Sequence, residues 1–343
     1  MDLHESVPLL YVSTGTGPYN EAIDPITITE WQAFSSHEVS EATRLGLRGV
    51  WTWGFYTGWY PGYLLWVTNN HKTFGNSNPG TFNRDLRRSK FADLRVNSPS
   101  WYRAWPPPKE LRWSLRNNTN YMQTGVLASL RYAARNREEL LMNFWTKGNN
   151  AIEAGRSRGV RAFVIPADQR DPGALAELLQ LLKGHRIEVH QVDASASVGA
   201  WKVEAGDFIV RMDQPYRNFA WTLLQAQPFP KDAAHTPYDD VAWSLDLMLG
   251  VEVQPIEDPA VLSLNMRAVN EGVLPRGTVE GEGPWVVEHV GQAELMTLIY
   301  ALGDARVRSL ARAVDEVPAG SLLIDEVSAS ALREIIGRTH LRA

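Results

Sequence analysis

Two stretches of this chain have the residue types for metal or hydrolytic chemistry. The first is Asp2-Leu3-His4-Glu5-Ser6, an imidazole set between carboxylates next to an apolar residue. A histidine at the end of a buried strand suits zinc, which neutral imidazole binds through one ring nitrogen. Alone it is not a site, and His4 needs partners from elsewhere. The second is His185-Arg186-Ile187-Glu188, whose His-x-x-Glu spacing can deliver two zinc ligands, with His190 and His289 further along. Here the spacing argues the other way. His185 falls at the end of a predicted helix, and Glu188 and His190 alternate along a polar-faced strand, the pattern of a solvated edge.

Other chemistries lack their residues. Cysteine is absent, which removes disulfides, thiolate nucleophiles and Cys-ligated zinc. There is no Gly-x-x-x-x-Gly-Lys-Ser/Thr loop and no Gly-x-Ser-x-Gly elbow, and Gly15-Thr16-Gly17 lacks the rest of a dinucleotide fingerprint. Aromatic residues are the richer signal. Trp51, Trp53, Phe55, Tyr56, Trp59, Tyr60, Tyr63 and Trp66 fall within sixteen positions. They suit a large core with a rigid loop, or a cleft wall for peptide or carbohydrate. Trp51 to Phe55 alternates as a strand does, which puts its aromatics on one face.

Composition sets the frame. The 343 residues can bury a substantial core, and the net charge of -5 with a pI near 5.9 argues against a nucleic-acid surface. No run of 18 apolar residues predicts a membrane span. Residues 1–150 carry 16 Lys+Arg against 12 Asp+Glu and residues 151–343 carry 18 against 27, a shift that predicts two regions. No basic, apolar leader is visible at Met1.

The elements that must position these residues follow from periodicity. An extended segment is predicted at 7–12 and a loop at Gly15-Thr16-Gly17-Pro18. A helix capped by Thr29 should bury Trp31, Phe34, Glu38, Ala42 and Leu45 and stop at Gly46. Strands are predicted at 49–55 and 63–68, and a long loop at 70–112. Two helices should occupy 119–154, breaking near Gly148, with a domain boundary at Gly155 to Gly159. The second region opens as βαβ. Arg161 to Pro166 is a strand, Asp171-Pro172 opens a helix lined by Leu175, Leu178, Leu179 and Leu182, Gly184 ends it, and Ile187 to Val192 returns as a parallel neighbour. Strand 207–212, helix 216–226, strand 285–289, helix 292–302 and strand 321–325 repeat the theme as an open α/β domain.

Longer strings carry a family likeness. Asp2-Leu3-His4-Glu5-Ser6 and Tyr11-Val12-Ser13-Thr14-Gly15-Thr16-Gly17-Pro18-Tyr19-Asn20 resemble the bacterial zinc carboxypeptidase-like proteins of the carboxypeptidase A family. So do Gly49 to Tyr56, Trp113-Ser114-Leu115-Arg116-Asn117-Asn118, Asn136-Arg137-Glu138, Val164 to Pro172, Arg211 to Tyr216 and Thr236 to Asp240. The strings are ordered and span nearly the whole chain.

The resemblance implies a zinc hydrolase. In such proteins a His-x-x-Glu motif supplies two ligands and a later histidine the third, zinc activates water, and a glutamate moves the proton. His4 matches the third ligand, and the segment bearing the other two is expected ahead of residue 1. The family's Glu-Thr-Phe-Gly string matches Lys72-Thr73-Phe74-Gly75, which puts an ammonium at the general-base position. His71 offers at most an improvised second ligand. The chain is therefore expected to be the C-terminal part of a zinc metallocarboxypeptidase-like protein, truncated, split or degenerate, and inactive alone. The alternative is a non-catalytic peptide- or glycan-binding or assembly module of the same descent. A glutamine amidotransferase activity is excluded for want of cysteine.

The expected architecture is a partial three-layer α/β/α carboxypeptidase-like domain with its trailing loop (1–112), a helical connector (113–158) and a flavodoxin- or class I amidotransferase-like α/β domain (159–343). Missing early strands would expose a sheet edge and apolar surface, inviting an N-terminal half in trans or a homo-oligomer. Peptide substrate, zinc and export are what the resemblance implies for full-length relatives.

Overall fold

A computed structural model describes residues 9–14, 16–54, 57–59, 89–90, 97–111, 113–234, 242–269, 276–303 and 305–343. The chain divides into two compact units of mixed α/β structure, Met1–Glu153 with Ala226–Trp243, and Ala154–Gln225 with Ser244–Ala343.

The first unit is built on an extended segment at 9–14. The Val12 amide donates to the Trp51 carbonyl at 2.8 Å, Trp51 to Leu10 at 3.1 Å and Thr14 to Thr52 at 3.1 Å. Residues 9–14 and 50–53 therefore run side by side and parallel, with Tyr11 opposite Trp51. Parallel neighbours need a crossover, and helix α1 (Pro25–Arg44) provides it. The sequence predicts a helix beginning at Glu30 behind a Thr29 cap, but the helix begins five residues earlier, at Pro25. Asp24 is extended, its carboxylate accepts the Ile26 amide at 2.8 Å, and Pro25 sets φ for the first turn. The Thr29 hydroxyl instead donates to the Ile26 carbonyl inside that turn. Trp31, Phe34, Glu38 and Ala42 are buried as their spacing predicts. Leu45, already past the last turn as the C-cap, is exposed, and Gly46 turns the chain at φ +83°.

Two-residue strands β1 (Ser89–Lys90) and β2 (Glu110–Leu111) pair antiparallel. Helices α2 (Leu115–Arg135) and α3 (Arg137–Ser157) follow. Two helices were expected here with a break near Gly148, yet the break is at Asn136. The Asn136 backbone amide and its side-chain amide both donate to the Tyr132 carbonyl, at 3.0 and 2.9 Å, and close the end of α2. Gly148 continues inside α3, since one interior glycine costs only about 1 kcal/mol against alanine. Phe34 of α1 meets Tyr132 of α2 edge-to-face at 4.5 Å. Leu9, Leu10, Val12, Val39, Val50, Trp113 and Tyr121 form the apolar centre beside them.

Among the described residues, two buried polar contacts cross this helical layer. The Ser129 hydroxyl donates to the Glu38 carboxylate, and Lys147 Nζ lies 2.5 Å from Glu30 Oε2 with both residues buried.

The second unit carries β3 (Ala162–Ile165), α4 (Pro172–Gly184), β4 (His190–Val192), β5 (Ala196–Val198), β6 (Trp201–Val203), β7 (Phe208–Arg211), α5 (Arg217–Leu223), α6 (Leu245–Leu249), β8 (Gln254–Ile256) and β9 (Met266–Ala268). Helix α4 matches its prediction closely. Asp171 accepts the Gly173 amide at 2.8 Å, and Leu175, Leu178, Leu179 and Leu182 are fully buried.

The sheet does not match its prediction. Its order is β8-β3-β7-β4-β9 and every pairing is antiparallel. β3 and β4, joined by α4, point the same way but are not neighbours, because β7 lies between them. Two features of the chain account for this. The β5–β6 hairpin, turning at Gly199 (φ +58°), reverses the chain before β7. Phe208, Ile209 and Val210 are all buried, so β7 belongs in the middle of a sheet covered on both faces. Ala162, Val164, Val192, Ile209 and Ile256 share one face, and Phe163 and Ile165 alternate to the other.

The pattern recurs in β10 (Trp285–Val287), α7 (Glu294–Leu302), β11 (Arg306–Ser309), β12 (Leu322–Asp325) and α8 (Ala329–Ile336). The order is β10-β12-β11, again with antiparallel pairs and the last strand in the middle. Leu298, Ile324, Leu332 and Ile336 are fully buried in its core. The expected flavodoxin- or amidotransferase-like domain rests on a parallel sheet; the described strands of this unit form split crossovers with antiparallel neighbours instead. No helix among the described residues is long and apolar enough to cross a membrane.

Candidate functional site

The parallel pair in the first unit ends in a dense set of buried polar side chains. Ser13, Thr14, Thr16, Asn20, Thr52 and Thr57 are all buried there. The Thr14 hydroxyl donates to the Thr52 carbonyl at 2.8 Å, and Thr16 Oγ1 accepts the Gly54 amide at 3.0 Å. Ser35 of α1 donates to the Ser13 carbonyl at 2.7 Å. The strand ends are thus tied to each other and to the crossover helix. In open α/β sheets, the carboxyl ends of parallel strands are where ligands bind.

Tyr19 and Asn20 extend this ledge. The Tyr19 hydroxyl donates to the Thr14 carbonyl at 2.9 Å, and burial pushes its pKa up, which keeps it a neutral donor at physiological pH. The Asn20 amide donates to Gln227 Oε1 at 2.6 Å, while Asn20 Oδ1 accepts the Ala22 amide at 2.9 Å. Trp59 packs edge-on against Phe229 at 5.4 Å.

An aromatic surface lies on the other side of the 50–53 segment, where the Thr52 amide donates to the Tyr102 carbonyl at 3.0 Å. Trp53 stands 5.8 Å from Trp101 and 5.5 Å from Tyr102. Trp101 is 74% exposed and Trp53 36%. Beneath them, the buried Arg103 guanidinium sits 5.2 Å from the Trp51 ring and 5.5 Å from that of Tyr102. Burial pushes its pKa down.

The residues singled out from the sequence are dispersed. His4, His71 and Lys72 lie outside the described residues, as do Phe55, Tyr56, Tyr60, Tyr63, Trp66 and the predicted strand at 63–68. His185 packs edge-on against Phe219 at 4.9 Å, and burial pushes its pKa down. Glu188 is exposed. His190 is half-buried, with its pKa lowered first by burial and then by Arg211. His289 lies by the other sheet, its amide donating to Ser321 Oγ at 3.0 Å. The structure therefore does not gather His185, Glu188, His190 and His289 into one centre.

Family-type catalytic zinc needs three protein ligands and an open position. Among the described residues no group of three or more His, Asp or Glu is placed to hold a metal. The described donor set does not fit a catalytic zinc centre.

Sequence reasoning missed Trp101, Arg103 and the Asn20–Gln227 pair. The two members of that pair are 207 positions apart, and no local pattern links them. Comparison with protein-family models, with curated proteins and with solved structures gives no match to this chain.

Proposed function

We propose that residues 1–112 are the carboxypeptidase-like part of this chain, the C-terminal portion of a three-layer α/β/α domain, and that His4 is the third ligand of the zinc centre of that lineage. What supports this is the parallel pair 9–14 and 50–53, bridged by α1 and ending in buried Thr14, Thr16 and Thr52. His4 stands five residues before that pair in the sequence. The one His-x-x-Glu spacing in residues 1–343, His185 and Glu188, falls in the second unit. With Lys72 where the family string has glutamate, the chain by itself is a non-hydrolytic member of that lineage.

Elemental analysis and a C-terminal exopeptidase assay test this together. The purified chain is expected to hold far less than one zinc and to release no C-terminal residue. Fusion to a carboxypeptidase-like segment bearing His-x-x-Glu is expected to raise zinc to one per chain, and His4→Ala in that fusion to lose it. Equimolar zinc retained after His4→Ala would remove His4 from the centre.

A second reading has its own observation, the exposed Trp101 beside Trp53 and Tyr102. Such a platform suits stacking on a sugar ring or a peptide side chain. Trp101→Ala is expected to weaken binding of an oligosaccharide or peptide by about tenfold, or ~1.4 kcal/mol. Calorimetric titration against a panel of both would show it. Unchanged affinity for every ligand that binds the parent chain would count against the platform.

A further inference from the structure

A buried guanidinium is normally paired, because an unpaired one keeps its charge while losing its water. The second unit departs from this where α3 ends, β3 begins and α5 begins. Among the described residues, Nε and Nη1 of Arg161 and Nε of Arg217 are shielded from solvent and have no hydrogen-bond partner, side chain or carbonyl. Arg161 immediately precedes β3, Arg217 opens α5, and Arg158 follows α3. Three separate segments carry these charges, and the 2.8 Å bond from the Met212 amide to the Arg161 carbonyl ties the start of β3 to the chain that leads into α5.

The electrostatics agree with this placement. Burial, and then the nearness of Arg158 and Arg161, pushes the Arg217 pKa down, and no carboxylate is among the charges acting on it. Its Nη1 donates to a neutral group, Asn218 Oδ1, at 3.0 Å. The nearby carboxylate of Asp213 is engaged elsewhere, taking two bonds of 2.9 Å from Arg211. The end of α3 offers only the partial negative charge of its carbonyls. Left as it stands, the cluster is both unpaired and self-repelling.

We propose that Arg158, Arg161 and Arg217 form a binding site for a phosphoryl dianion, carried by inorganic phosphate or by a small phosphomonoester. A dianion offsets three positive charges better than a single carboxylate does. Its tetrahedral oxygens can accept from several guanidinium forks at once, the geometry in which arginine outperforms lysine. Exposed Arg158 leaves the cluster open to solvent on one side.

The test uses the full chain in thermal melts with phosphate or chloride at matched ionic strength. Phosphate is expected to raise Tm by several degrees and saturably, and chloride is not. Arg161→Met and Arg217→Met should each abolish the shift. Without phosphate they should melt no lower than the parent, because each removes a half-buried charge whose shielded nitrogens have no acidic partner among the described residues. Arg158→Gln, at an exposed position, should fold normally and bind phosphate about tenfold more weakly. Titration with inorganic phosphate and with glycerol phosphate separates the two sources, and binding of either supports the site. A phosphate shift that is absent, or equal in the parent and all three variants, overturns it. Arginine-to-methionine variants that melt lower than the parent without phosphate also overturn it, by making the arginines structural.

Discussion

Lys147→Met is expected to destabilise the first unit by about 3–5 kcal/mol, the cost of leaving one member of a buried ion pair without its partner. Lys147 and Glu30 are 2% and 7% exposed at the side chain, with Nζ and Oε2 2.5 Å apart. Methionine fills nearly the same volume, so the loss reads the stranded carboxylate rather than a cavity. Glu30→Leu combined with Lys147→Met should recover most of it, because two apolar side chains need no partner. Ten of the 13 tryptophans lie in the first unit, so urea unfolding followed by tryptophan fluorescence reports mainly there. A single variant within 1 kcal/mol of the parent would mean that the pair is not holding α1 to α3.

Gly155→Ala should cost at least about 3 kcal/mol, at the upper end of what overpacking a core costs. A Cβ at Gly155 would lie 1.9 Å from the Met212 carbonyl oxygen and 2.5 Å from the Asp213 amide nitrogen. Both are backbone atoms, and the Met212 amide is itself held to the Arg161 carbonyl at 2.8 Å. Nothing there can rotate away. Gly184→Ala is the control, since a Cβ at that end of α4 meets no atom within 4 Å. It should be neutral or slightly stabilising, as alanine favours helix over glycine. Denaturant unfolding and hydrogen exchange at the Met212 amide check both. Equal stability of the two variants would disprove the close approach of α3 to β7.

What could be read from the sequence was local. Helix α4 was legible because Asp171-Pro172 carries its cap and Leu175, Leu178, Leu179 and Leu182 carry its period. The buried face of α1 was legible for the same reason, but its cap was not, because Thr29 is as plausible a capping residue type as Asp24. The place of β7 was not legible. Consecutive strands joined by a helix suggest neighbours, and only the buried run Phe208-Ile209-Val210 hints that a later strand enters between them. The Arg158, Arg161 and Arg217 cluster has no motif either, because its members meet through the fold. His4 and Lys72, the residues on which the sequence argument turned, lie outside the described residues. What the structure shows in the first unit is the paired strand ends and the tryptophan surface.

The split crossovers constrain the order in which the chain can mature. During synthesis β3, α4 and β4 emerge before β7, yet β3 and β4 bond to each other only through it. A nascent chain that stops short of residue 208 has two strands with open backbone groups and no common partner between them. The same holds for β10 and β11 until residues 322–325 arrive. Each sheet therefore closes by late insertion, and the interval before closure is when an exposed apolar strand such as Ala162–Ile165 is open to chaperones or to pairing with another copy.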